Sequence, residues 1–233
     1  MSKKEKMVIM KTSYARPVDA ILLLGPTGSG KSPLGDVLTT RGFLGRRSHH
    51  LDFGSELRAI ASGIGATSYS PAEQDFILGV LEHGLLLENE RFALAKKIVS
   101  LFLDRSRFRT GDVLVLNGLP RHEGQARDLE PIATVHSLVI LECSPGSVFC
   151  RIEENTGGDR AGRKDDERAL IEQKLRIFEE RTAPLIEHYK QAGSRLYRIE
   201  INERTTTGSA YHQLSTLAAA DPPVALVAEP PKR

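Results

Sequence analysis

The chain has 233 residues, of which 40% are hydrophobic and 27% are charged, and its formal net charge is +2. This length fits one α/β domain with a small insertion, and the charge is too small to indicate a nucleic-acid-binding surface or attraction to a membrane. The two cysteines form no CxxC pair, so we expect neither a zinc site nor a disulfide framework. No apolar run approaches the roughly 18 residues that a membrane helix needs. We therefore predict a cytoplasmic protein that binds neither nucleic acid nor membrane.

The first predicted strand leads directly into a phosphate-binding loop. Residues 1–17 are polar and basic and predict a flexible arm. After the apolar run Ala20–Leu24, the sequence matches G-x-x-x-x-G-K-[ST]. The loop consists of Gly25, Pro26, Thr27, Gly28, Ser29, Gly30, Lys31 and Ser32. Its glycines allow the backbone to approach the phosphates, the lysine charge suits the β- and γ-phosphates, and the final serine hydroxyl suits Mg²⁺. The sequence therefore predicts that the chain binds ATP with Mg²⁺.

Further strands alternate with helices along the rest of the chain. Short apolar runs predict buried strands at Val113–Asn117, Ser137–Glu142 and Leu196–Ile201, with a weaker one around His49–Phe53. Helical patterns cover 33–41, 55–62, 71–83, 88–108, 122–131, 145–154 and 166–192. This alternation predicts an α/β fold with a doubly wound, parallel, five-stranded sheet. Ligands of such sheets bind at the carboxyl ends of the strands, so the loops after Leu24, Phe53, Asn117 and Glu142 should border the site.

Two later segments carry additional polar candidates, and the chain ends in a tail. Arg121 follows the strand that ends at Asn117, where its guanidinium could bind a phosphate through two hydrogen bonds, although an exposed arginine after a turn is the alternative. The glycine-rich stretch 156–163 predicts a mobile loop. Residues 209–233 hold a helix end followed by a stretch rich in Pro and Ala, and we expect the last dozen to add nothing to a core.

The order of these motifs resembles that of adenylate kinase and, more broadly, of the nucleoside monophosphate kinases, from about residue 18 to 206. The segment 52–58 resembles S-T-G-D-L-L-R, 84–90 resembles G-x-L-V-x-D-E, and 117–121 resembles D-G-F-P-R. The resemblance implies a P-loop kinase domain over 18–208, with a helical acceptor-binding insertion at about 48–92. It assigns acceptor binding to Phe53, Arg58, Leu86, Leu87, Gly118, Arg121, Gln125 and Arg163. The glutamine falls where the family binds adenine, which favours AMP as the acceptor.

The resemblance also implies a short, zinc-free lid at about 151–165. Arg151 falls on a lid arginine that packs over the donor adenine, and Arg163 with Asp165 and Asp166 resembles the R-x-D-D signature at the far edge of the lid. Lys31, Arg121, Arg163 and Lys174 are the catalytic candidates. The family also implies a monomer whose partners are ATP and a nucleoside monophosphate.

Several positions depart from the family pattern. Asn117 replaces the acidic residue that orders Mg²⁺-bound water, so we expect its metal contact to be indirect, through water. Lys174 replaces an arginine, and Phe53 and Ser55 replace threonine and aspartate beside the acceptor. These departures leave two alternatives open: a P-loop kinase with a different small acceptor, or a nucleotide-binding regulatory protein with weakened catalysis.

Overall fold

Five parallel strands form one sheet in the order β2-β3-β1-β4-β5. They are β1 (Val18–Leu24), β2 (Ser48–Asp52), β3 (Val113–Asn117), β4 (Ala133–Cys143) and β5 (Arg195–Ile201). The computed structural model describes residues 16–85, 87, 89–159 and 167–226. Residues 1–15 of the predicted arm, Leu86 and Arg163 of the predicted site, and the last seven residues therefore lie outside the described residues. The predicted fold class, a doubly wound parallel five-stranded sheet, is confirmed.

Side chains of the central strands alternate between two apolar cores, because successive residues of a strand point to opposite faces. Ala20, Leu22 and Leu24 of β1 pack into one core, whereas Ile21 and Leu23 pack into the other. All five are at most 2% exposed. The sheet is therefore covered on both faces, which explains why its inner strands are continuous apolar runs in the sequence.

Nine α-helices flank the sheet in the described part of the chain. They are α1 (Lys31–Arg41), α2 (Phe53–Ala61), α3 (Pro71–Glu82), α4 (Phe92–Arg105), α5 (Glu123–Leu129), α6 (Pro145–Glu153), α7 (Arg168–Ile177), α8 (Leu185–Gln191) and α9 (Thr207–Ala220). Helices α1 and α9 cover one face, and α4, α5 and α8 contribute to the core on the other. Side chains cap several helix starts: Asp52, Ser70, Ser144 and Thr206 each accept a hydrogen bond from a backbone N–H three residues later.

The helix predicted over 166–192 is interrupted. A π-helical turn, Phe178–Thr182, follows α7, and α8 begins only at Leu185. Pro184 lies between them and has no N–H to donate to the carbonyl of the preceding turn, so a continuous α-helix cannot pass through it. Thr182 at the end of the π turn is 6% exposed, and its hydroxyl donates to the Arg121 carbonyl in the loop after β3.

The end of the chain contributes more to the core than predicted. Helix α9 buries Ala210, Leu214 and Ala218 against the face that α1 also covers. Leu226, one of the last dozen residues, is fully buried in the same core. Our expectation that those residues add nothing to a core is wrong for this position, because a leucine can anchor even a Pro-rich segment when an apolar groove lies beside it.

Candidate active site

A cleft of about 220 Å³ lies at the carboxyl edge of the sheet. The loops after β1, β2 and β3 line it from below, and residues of α3 and α7 contribute to its walls. Among the described residues, every predicted site residue lines this cleft except Pro26, Ser29 and Arg151. The fold thus brings together groups that are far apart in sequence, at the position where parallel sheets bind ligands.

The phosphate loop connects β1 to α1 in a left-handed backbone conformation. Gly28 and Gly30 have φ angles of 76° and 95°, and a Cβ at Gly28 would come within 2.8 Å of the Ile152 side chain, so only glycine fits there without strain. The first turn of α1 contains no acidic residue, which leaves its N–H groups suited to an anion. Lys31 Nζ donates to the carbonyl oxygens of Gly25 at 2.8 Å and Pro26 at 2.6 Å. Its charge therefore lies over the loop itself.

A carboxylate that our sequence reasoning left without a role lies beside the end of this loop. Ser32 Oγ donates a hydrogen bond to Asp52 Oδ2, and Asn117 Nδ2 lies 3.1 Å from both the serine oxygen and the same carboxylate oxygen. Burial alone would raise the pKa of Asp52, but hydrogen bonds from Ser32 and Ser55, with the charges of His50 and Arg58, outweigh it and lower the pKa. The sequence did contain one signal for this role: an acidic residue stands at the end of a strand whose carboxyl end borders the site.

Two arginines serve the other part of the cleft. Burial lowers the pKa of Arg121 to about 10, so its guanidinium remains charged at neutral pH. Within the described residues, that guanidinium has no hydrogen bond or ion pair. The Arg58 guanidinium donates to Ser55 Oγ at 2.8 Å. Arg121 is partly buried, and a partly desolvated cation without an ion-pair partner favours an anionic ligand at this position.

Gln125 is 1% exposed and joins two segments of the site. Its amide oxygen accepts from the Arg121 N–H at 2.7 Å, and its amide nitrogen donates to the Leu87 carbonyl. The Arg121 carbonyl in turn accepts from Thr182 Oγ1 at 2.9 Å. The backbone that carries Arg121 is therefore held from both sides.

Arg151 is 4% exposed and does not line the cleft. Its guanidinium donates to the carbonyl of Gly28 at 3.1 Å and to those of Asn202 and Thr205, both at 2.8 Å. The side chain thus ties α6 to the phosphate loop and to the loop after β5. In this structure its hydrogen bonds are to backbone carbonyls, and its predicted contact with the donor adenine stays a prediction.

Curated proteins similar to the chain include several adenylate kinases. The adenylate kinase of Synechococcus sp. (strain CC9311) is 32% identical over 178 residues, which make up 74% of this chain and 85% of that protein. The chain belongs to the adenylate kinase family. The adenylate kinase of Rickettsia bellii (strain RML369-C) is 29% identical over 197 residues, covering 73% of this chain and 86% of that one. No family model matches the chain.

A sugar kinase from Janibacter sp. HTCC2649 shares the fold of this adenylate kinase family member. The two structures superpose with a TM-score of 0.51 at 13% identity, over 91% of this chain and 100% of the other. The predicted resemblance is thus confirmed at the level of family and fold, and the chain is a kinase that binds a nucleotide.

Among the described residues, no helix is long and apolar enough to cross a membrane, and no group of three or more His, Cys, Asp or Glu side chains could hold a metal ion.

Proposed function

We propose that this chain transfers the γ-phosphate of ATP·Mg²⁺ to AMP, yielding two molecules of ADP. The observation that carries the proposal is Arg121, a partly buried guanidinium that has no ion pair in the described part of the chain and lies in the same cleft as Arg58 and Lys174. Three cations around one pocket suit an acceptor that is itself a phosphate.

The carboxylate beside the phosphate loop, Asp52, also supports a phosphate acceptor over a hydroxyl acceptor. A hydroxyl must lose a proton during transfer and needs a base, whereas a phosphate oxygen is already anionic. Asp52 is a poor base, because Ser32, Asn117 and the Ser55 N–H all donate to it and its pKa is lowered. The arginines hold the acceptor without any need for proton transfer.

Recognition of adenine is assigned to the segment around Gln125. Each end of its amide uses one of two hydrogen-bonding capacities on the backbone of Leu87 or Arg121. The side chain can therefore position both segments and still offer a donor and an acceptor to a base in the cleft that it lines. Within this proposal, the helical insertion at about 48–92 forms the acceptor pocket.

The donor set at the phosphate loop fits Mg²⁺. The hydroxyl of Ser32 and the oxygens of Asp52 and Asn117 are hard ligands, which this ion prefers, and it often binds through few protein groups together with substrate phosphates. We assign Ser32 to the ion directly and Asn117 through water. When bound with ATP, the ion neutralises charge on the β- and γ-phosphates.

The protein side of the reaction consists of positioning and charge stabilisation. Lys31 and the N–H groups of the phosphate loop bind the β- and γ-phosphates, while Arg58 and Arg121 hold the acceptor phosphate in line. Lys174 stabilises the transferring group, and we assign Arg163, outside the described residues, to the same task. Closure of a lid at about 151–165 would exclude water that competes for the γ-phosphate.

The test is ADP formation from ATP·Mg²⁺ with AMP, dAMP, CMP, UMP, GMP or no acceptor. We expect AMP-dependent turnover, and the Lys31→Met variant should abolish it because the positive charge over the phosphates is lost. Turnover that requires a different acceptor would show that the base assignment is wrong. ATP binding without turnover on any acceptor would favour a regulatory protein.

A matched pair of variants tests the acceptor clamp. Arg121→Lys keeps the charge but loses the planar fork, so we expect the KM for AMP to rise about tenfold or more, equivalent to about 1.4 kcal/mol. Arg127→Lys on α5 is the control, because that arginine is exposed and pairs only with Glu123 in the described structure. Equal KM values for both variants would contradict the role of Arg121.

A further inference from the structure

We propose that Asp52, at the end of β2, supplies the carboxylate that anchors the hydrated Mg²⁺ of the bound nucleotide. The family pattern gives that task to an acidic residue at position 117 and has a serine at position 52. This chain has asparagine at position 117 and aspartate at position 52. The chain would thus have moved the charge from one strand to its neighbour. This inference rests on the proposed function only in taking ATP·Mg²⁺ as the ligand of the cleft.

The geometry places Asp52 within reach of the metal-binding hydroxyl. Asp52 and Asn117 are register partners on the adjacent strands β2 and β3, so their side chains leave the sheet side by side. Asp52 Oδ2 accepts from Ser32 Oγ, and Asn117 Nδ2 lies 3.1 Å from both of these oxygens. A carboxylate at either position would therefore face the same hydroxyl.

The surroundings orient Asn117 as a donor. His50 Nδ1 lies 2.9 Å from Asp36 Oδ1, and His50 Nε2 lies 3.4 Å from Asn117 Nδ2. Asn117 Nδ2 therefore lies among three possible acceptors, Ser32 Oγ, Asp52 Oδ2 and His50 Nε2. The NH₂ group of Asn117 is thus turned toward Asp52 and Ser32, which leaves Asp52 as the anionic group beside the serine.

Charge explains why the two residues are found together. Two carboxylates within hydrogen-bonding distance would repel each other and one would take up a proton, so an acid at position 52 favours a neutral donor at 117. One carboxylate plus substrate phosphates is a common way to bind Mg²⁺. The asparagine then compensates for the aspartate and need not indicate lost catalysis.

The experiment measures ATP binding with Mg²⁺ and with EDTA, by calorimetry, for the wild type, Asp52→Asn and the double variant Asp52→Ser with Asn117→Asp. We expect Mg²⁺ to strengthen ATP binding by the wild type. In Asp52→Asn, the factor by which Mg²⁺ strengthens ATP binding should be about tenfold smaller. The affinity of this variant for ATP in EDTA should be unchanged or higher. The double variant moves the carboxylate to position 117. In this variant, Mg²⁺ should again strengthen ATP binding as it does in the wild type.

Asp159→Asn is the control, because Asp159 is another carboxylate that lines the cleft but follows α6 rather than β2 or β3. Asn and Ser both cap helices well, so α2 should still form in the variants. Thermal unfolding checks that the variants fold. If Asp52→Asn does not fold, Asp52→Ser alone takes its place in the experiment. Unchanged Mg²⁺ dependence in the variant that folds would overturn the inference, as would an equal loss in Asp159→Asn.

The outcomes of the two proposals are separable. If no nucleoside monophosphate is phosphorylated but Asp52→Asn still loses the Mg²⁺ gain, the proposed function fails and the inference stands. If AMP is phosphorylated and Asp52→Asn keeps the full Mg²⁺ gain, the inference fails and the proposed function stands.

Discussion

Gln125 has two tasks in this cleft, one structural and one in binding. It holds the backbone of Leu87 and Arg121, and we assign it a contact with the acceptor base. Gln125→Ala should therefore lower kcat/KM for AMP more than for CMP or UMP, on top of a uniform loss from the looser backbone. The measurement is the ratio of kcat/KM values across acceptors. An equal loss for all acceptors would leave only the structural task.

Asp19 gives a prediction about pH. Burial alone would raise its pKa, but hydrogen bonds from Arg46 at 2.6 Å and His136 at 2.9 Å, with their charges, lower it below the ordinary 3.8. A lowered pKa adds stability above pH 3.8, and that stability is lost as the pH falls through the folded-state value. We expect Asp19→Asn to cost about 1–2 kcal/mol at pH 7.

The difference between the two proteins should then shrink as the pH falls below 3.8, since the carboxyl takes up a proton first in the unfolded state and only at lower pH in the folded state. Urea unfolding of both at several pH values measures this. A difference that stays constant down to the acid limit of the folded state would show that the charge of Asp19 is not the cause.

The residues that sequence reasoning found share a property that Asp52 lacks. The phosphate loop is contiguous, so its spacing alone predicts its chemistry. Asp52 acts on Ser32 and Asn117, which lie 20 and 65 positions away, and only the register of β2 with β3 brings them together. The local pattern shows only that an acid ends the strand, and it does not show which residues that acid will contact.

Among the elements, the connection that α6 makes through Arg151 is the most testable. Its guanidinium donates to carbonyls of the phosphate loop and of the loop after β5. Arg151→Lys keeps the charge but cannot reach three carbonyls with a planar fork. We expect ATP affinity to fall about tenfold and the free energy of unfolding to fall by about 1–3 kcal/mol.

The control for Arg151 is Arg168→Lys on α7, an arginine whose side chain is 79% exposed. Fluorescence titration with a labelled ATP analogue and urea unfolding provide the two measurements. If Arg151→Lys binds ATP as the wild type does, the connection has no bearing on the shape of the phosphate loop.

The bounds of an element that is buried along its whole length could be predicted from the sequence. Bounds that depend on packing against other elements could not. The buried strand β3 matches its prediction residue for residue. The end of α7 does not, because an unbroken helical periodicity hides the π turn before Pro184. Thr182, the last residue of that turn, donates to the Arg121 carbonyl across the fold.

For the molecule as a whole, α9 tests how far the end of the chain supports the domain. Leu214 is fully buried between the sheet and α1, whereas Leu217 on the same helix is 40% exposed. Leu214→Ala should cost about 2–5 kcal/mol through lost burial and a cavity. Leu217→Ala should cost well under half of that. Equal losses in urea unfolding would mean that α9 does not pack on the sheet as described.

The strand order has a consequence for synthesis of the chain. β1 leaves the ribosome first, but its neighbours β3 and β4 begin only at Val113 and Ala133, and β2 also pairs with β3 alone. A nascent chain that stops short of residue 113 already carries the complete phosphate loop, yet it has no sheet on which to hold that loop. Nucleotide binding should therefore appear abruptly during translation, once β3 has joined the two strands made before it.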